Sequence, residues 1–266
     1  MGIAVFPAAG GGVVQKFQEF TSSGNWTAPT GVNAVEVLLV GGGGGSGGVG
    51  GGGGTGYATG AGGGGGVRKE WISVTPGTNY TITIGAGGNA GTTGPNAGGS
   101  GGTTSFGNLI SVGGGGGGAA GNTNVGQGGA GASAPTNGGG GGGASQRNSG
   151  TWGTAGGGAG SRAELVYANF SNANIGTKIQ PGAGGAYGYS AAPTIHDSAQ
   201  VDYVIAEIPG QPLWGHGAGG KGTNSIGTTS NFSGYGKGAR SVGNSTDANG
   251  VAGQSGYLSL QWIQPA

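Results

Sequence analysis

The chain has 266 residues, of which 78 are glycine and only 6% are charged; its net charge is +1 and it has no cysteine. That balance excludes a disulfide framework and an electrostatic nucleic-acid surface. Ten prolines without a Gly-X-Y register exclude collagen, and five Trp, eight Tyr and six Phe in so uncharged a chain exclude the usual composition of a disordered one.

Residues 1–16 read as an apolar arm, Ile3-Ala4-Val5-Phe6, hinged at Gly10-Gly11-Gly12. It is expected to attach to a larger assembly, pack on a partner subunit, or fray. No basic region precedes its apolar run and Pro7 ends it, so it does not read as a signal peptide. No stretch nears the ~20 apolar residues that cross a bilayer, so membrane insertion is not expected.

Residues 17–112 read as a β-rich unit with the first glycine segments. Phe17–Phe20 opens it, Ser23-Gly24-Asn25 is a turn signal, and Val32–Val40 alternates as a strand does. Val67–Val74, the turn Thr75-Pro76-Gly77-Thr78-Asn79 and Tyr80–Ile84 predict a hairpin. A Gly/Asn/Thr loop over 85–102 follows, then a strand pair within 103–112 tightened at Gly107-Asn108. Trp26, Trp71 and Trp262 are expected in the core. Residues 113–266 read as glycine-rich, with recognition loops and a closing strand, Gly256–Ile263. No window carries apolar residues at helical spacing free of glycine or proline.

The glycine runs are 41–54, broken only by Ser46 and Val49, then 62–66, 113–118 and 138–143. Ordering a residue costs roughly 1–2 kcal/mol, and glycine brings no side chain to offset it. Such runs are flexible linkers, or their own backbone is the packing surface. Their recurrence between β-branched and aromatic segments favours the second reading. A polyproline-II backbone has three residues per turn and no internal hydrogen bonds, so runs laid side by side can bond to one another. The expected fold is therefore all-β with polyglycine-II helices: a small antiparallel β unit plus a stacked polyglycine-II sandwich bearing loops, with essentially no α-helix.

Chemistry signals are sparse. Gly215–Lys221 follows a P-loop up to its lysine, but Gly222 stands where Ser or Thr would ligate Mg²⁺ and no helix follows. Two histidines without cysteine make a poor zinc set, so His196 beside Asp197 reads as a surface loop. Asp197, Asp202 and Glu207 are too few carboxylates to argue for a glycosidase. No catalytic residue, metal or cofactor is expected. Loop Tyr and Trp give rigid contact area at low entropy cost. The candidate receptor-binding residues are Trp152, Tyr187, Tyr189, His196, Tyr203, Trp214, Phe232 and Tyr235; for the aromatic ones the competing reading is a cap on the edge of the glycine stack.

Three pieces of sequence carry a family resemblance. They are Phe20-Thr21-Ser22-Ser23-Gly24-Asn25-Trp26-Thr27-Ala28-Pro29 leading through Val35–Val40 into glycines, Pro76–Gly85, and Thr104-Ser105-Phe106-Gly107 leading through Ile110 and Val112 into glycines. In this order they resemble the glycine-rich C-terminal domains of bacteriophage tail-fibre and tail-tip proteins. The glycine blocks are similar to the polyglycine-II sandwich of T-even-type fibre-tip adhesins. The resemblance implies a non-enzymatic, receptor-binding protein of the virion tail, made in the host cytoplasm. Its expected partners are a host cell-surface protein or polysaccharide, other phage tail or baseplate proteins, and further copies of itself, a trimer being favoured over a single-copy tip. A structural tail-tip or fibre connector without receptor contact is the alternative, and a surface-polysaccharide hydrolase the third.

Overall fold

The computed structural model describes residues 12–49, 57–121, 125–126, 144–148, 151–155, 235–239, 243–244 and 249–265. The described part is all-β, as expected, with antiparallel sheets and no helix. Its base is two four-stranded sheets. One runs in the order β1 (Val13–Phe20), β13 (Tyr257–Pro265), β3 (Ala34–Val40), β5 (Val67–Ser73); the other β2 (Gly24–Thr27), β6 (Asn79–Thr83), β7 (Thr104–Phe106), β8 (Ile110–Val112).

Period-two alternation decides what lies between the sheets. Val35, Val37 and Leu39 of β3 and Leu258, Leu260 and Trp262 of β13 share a core with Trp26, Ile82, Phe106 and Val112. Trp26 is its hub, with the rings of Trp262, Phe106 and Tyr80 centred 5.5, 5.8 and 6.1 Å away. Burying each such side chain contributes roughly 1.5–3 kcal/mol.

Two expectations are corrected here. Trp71 is 59% exposed. It pairs with Glu36 while its neighbour Ile72 pairs with Val35 and packs on the core, and a strand cannot turn adjacent residues to one face. The segments either side of Thr75–Thr78 do not form a hairpin: β5 pairs with β3, whereas β6 pairs with β2 and β7. The turn is a corner between sheets. It is held by Ala28 N–H donating to Thr78 O and Gly77 N–H to Ala28 O, and Gly77 takes φ +78°.

Among the described residues, seven extended runs stand above this base. Residues 41–49 continue β3, 85–94 follow β6 and 113–121 continue β8; 57–66 lead into β5, 96–102 into β7 and 250–256 into β13, and 236–239 form a short seventh. Run 41–49 is the axis. Gly41, Gly44 and Gly47 donate to the carbonyls of Gly66, Gly63 and Gly60; Gly42, Gly45 and Gly48 to those of Gly102, Gly99 and Asn96; Gly43 and Ser46 to those of Gln254 and Val251, all at 2.8–3.2 Å. In return the carbonyls of Gly42, Gly45 and Gly48 accept from Gly115, Gly118 and Gly121, those of Gly43, Ser46 and Val49 from Gly88, Gly91 and Gly94, and that of Gly44 from Ala239.

The axis thus donates to three antiparallel neighbours and accepts from three parallel ones. The outer six close a ring in the order 57–66, 113–121, 96–102, 85–94, 250–256, 236–239, with hydrogen bonds across each of its six junctions. Direction alternates around the ring. On the axis, bonds to each of the five longer neighbours recur every third residue. Residues 50–54 of the first expected run and the run at 138–143 lie outside the described residues.

A residue from the sheets ties the two parts together. Buried Thr104 accepts a hydrogen bond from Gly85 N–H at 3.0 Å and donates one to Val40 O at 2.7 Å through the same hydroxyl. Beside it Tyr257, Leu38, Val40 and Val67 form a second apolar cluster on the outer face of the first sheet, with Tyr235 packed against it.

Candidate functional site

The bundle has one end on the sheets and one end away from them, and the chemistry differs between the two. At the far end the last described residue of the axis is Val49, which bridges Gly121 and accepts from Gly94 N–H. The turn between runs 85–94 and 96–102 is Thr93-Gly94-Pro95-Asn96, with Gly94 at φ +104°. Asn96 locks it by donating through its side-chain amide to Thr92 Oγ1 at 3.0 Å and Thr93 O at 3.3 Å. Asn249, 156 residues later, clamps it from the side: its Oδ1 accepts from Thr93 N–H at 2.6 Å and from the Thr93 hydroxyl at 2.7 Å. All these groups are exposed, so the clamp is a rigid, neutral surface of hydroxyls and amides.

At the same end, β4 (Tyr57–Ala58) pairs with β12 (Gly243–Asn244) and lies beside β9 (Val125–Gly126) and β10 (Ala144–Asn148). β9, β10 and β11 (Thr151–Ala155) form a three-stranded sheet in which Trp152 stands opposite Arg147. The chain leaves the described bundle here at Val49 and Gly121, and enters it at Tyr57 and Asn249.

Of the candidate residues, Trp152 belongs to β11, on this far side. Tyr235 lies at the opposite end: it is half-buried and its ring stacks on Tyr257 at 4.7 Å. The structure does not bring these two together. Tyr187, Tyr189, His196, Tyr203, Trp214 and Phe232 lie outside the described residues. Thr92, Thr93 and Asn96 fall in the expected Gly/Asn/Thr loop over 85–102, and Asn249 in the expected glycine-rich segment 113–266. The Thr-Gly-Pro-Asn signature marks the turn, but nothing in the sequence marks the contact with Asn249.

The described carboxylates, Glu19, Glu36 and Glu70, all belong to the sheets at the base. Glu70 binds Arg68 at 2.9 Å and Glu36 binds Lys69 at 3.2 Å. Glu19 accepts from the Tyr257 hydroxyl at 2.9 Å, and burial together with that carboxylate pushes the hydroxyl well above the usual phenol range. Among the described residues no group of three or more His, Asp or Glu could hold a metal ion. What the clamp at the far end offers is exposed hydroxyl and amide groups held in a hydrogen-bonded turn.

The family model described as a glycine-rich domain matches residues 19–263, nearly the whole chain, and the chain belongs to that family. No curated protein matches the sequence.

Proposed function

We propose that this glycine-rich domain protein is a bacteriophage tail-fibre or tail-tip adhesin, with its glycine runs in the polyglycine-II conformation, that binds a receptor on the host bacterial surface. The observation that carries the reading is the polarity of the bundle. Its runs grow from a packed β base, and its opposite end carries the neutral Thr93–Asn249 clamp and the β9–β11 sheet with Trp152. Recognition usually resides in loops on a rigid scaffold, and aromatic residues dominate such contacts. The sequence resemblance of residues 17–118 to fibre-tip proteins points the same way. The uncharged clamp suits hydrogen bonding to an outer-membrane protein loop or to a glycan. The structural connector is the second reading, favoured by the exposed Val13, Phe17, Trp71 and Ile263 on the first sheet.

The test is binding of the labelled, purified protein to whole cells of a bacterial strain panel, with protection of those cells from infection. Saturable binding that blocks infection is expected. Trp214→Ala or Tyr189→Ala should weaken it about tenfold or more while the thermal midpoint holds, the scale of a hot-spot aromatic. A folded protein that binds no strain sinks the adhesin reading, and its incorporation into virions would then favour the connector.

A further inference from the structure

The two large sheets have four edges, and three are protected in familiar ways. β2 and β8 are only four and three residues long. β5 carries Arg68, Lys69 and Glu70 in succession. β1 carries Lys16 and Glu19 but is the longest of the four edges. It is eight residues long, has no proline, is exposed at seven of its eight positions, and pairs on one side only, with β13, among the described residues. Beside it the mixed outer face of the sheet exposes three apolar side chains: Val13 is 63% exposed, Ile263 45% and Phe17 37%.

We propose that β1 is a self-association edge, pairing antiparallel with β1 of a second copy so that the four-stranded sheet continues across a two-fold axis. The occupant follows from the strand's own sequence, Val13-Val14-Gln15-Lys16-Phe17-Gln18-Glu19-Phe20. Directly opposed residues must lie on one face of the joined sheet, so the axis passes through a residue. An axis at Lys16 sets two ammonium groups opposite each other, and an axis at Glu19 sets two carboxylates so; both are disfavoured. An axis at Gln18 puts Phe17 against Glu19. An axis at Phe17 puts Phe17 against Phe17 of the second copy, Gln15 against Glu19, and Lys16 against Gln18, with no like charges opposed and an aromatic pair at the centre.

That register also joins the two outer faces. On each copy Phe17, Gln261, Glu36 and Trp71 form one row across the sheet, so the pairing brings two such rows end to end. The Glu19–Tyr257 hydrogen bond holds β1 firmly on β13, which leaves the edge ordered for docking. This inference stands on the sheet edges alone and is independent of the adhesin reading.

The chain has no cysteine, so single-cysteine variants report the register directly. Antiparallel partners have Cα atoms about 4.5–5.5 Å apart, within disulfide reach. Sedimentation of the whole protein at micromolar concentration should give an even number of copies. Phe17→Cys should form a disulfide-linked dimer under mild oxidation and Gln18→Cys should not. Phe17→Lys should weaken self-association at least about tenfold through opposed charge, with the circular dichroism spectrum unchanged. A monomer at these concentrations, an oligomer indifferent to Phe17→Lys, or linkage through Gln18→Cys in place of Phe17→Cys overturns the proposal.

Discussion

At Gly115 an added Cβ would fall on the Gly63 carbonyl, with Gly64 O only 2.7 Å away; at Gly113, two residues earlier in the same run, it would meet no heavy atom within 4 Å. The difference lies in the ring: Gly115 is wedged between backbones that cannot move without breaking their own hydrogen bonds. Gly115→Val should therefore cost at least about 3 kcal/mol, the upper end of overpacking, and abolish cooperative unfolding in a melt. Gly113→Ala should stay within about 0.5 kcal/mol of the parent. Equal tolerance at both positions would mean that the runs are not packed as described. Ser46 shows how the axis accommodates an exception: its hydroxyl accepts from Val251 N–H at 2.8 Å.

Among the elements, β13 stands between β1 and β3, and its first residue, Tyr257, reaches Glu19 of β1. The Tyr257 hydroxyl is held protonated by burial and by that carboxylate. A group whose folded pKa is raised stabilises the fold fully below its unfolded pKa, about 10 for tyrosine, and loses that contribution as pH rises beyond it. Denaturant midpoints should fall steeply above about pH 10. Tyr257→Phe should cost about 1 kcal/mol at neutral pH for the lost hydrogen bond and show a shallower alkaline fall; an unchanged alkaline slope would remove Tyr257 from the account. The strands themselves were largely legible in the sequence, because Val32–Val40 and Tyr257–Ile263 alternate cleanly. Their partners were less so. Thr75–Thr78 has the residues of a tight turn, and only the pairing of β5 with β3 and of β6 with β7 reveals it as a corner. Trp71 and Ile72 are both apolar, so the sequence could not say which one faces in.

For the molecule as a whole, the glycine blocks announced a backbone-bonded structure but not its arrangement. Side chains are what mark a face, and a run of glycines has none, so nothing local says that 41–49 is the axis and 113–121 part of the ring. The order is set from below. Each of the six longer runs is the extension of a β-strand or of the segment beside one, so the sheet topology decides where each run stands. The far-end clamp illustrates the same limit: Thr93 and Asn249 meet because run 250–256 borders run 85–94, a neighbourhood that exists only once the ring has closed. Of the candidate aromatic residues, Tyr235 stacks near the base and Trp152 lies on the far side, while the sequence placed both in one class. The account rests on main chain acting as the interior, and hydrogen exchange measured amide by amide tests this most directly. The N–H groups of Gly41–Gly48, bonded only to other runs, should exchange as slowly as those of β3 and β13, through global unfolding. Exchange at the rate of an unstructured peptide, with β3 and β13 still protected, would contradict it.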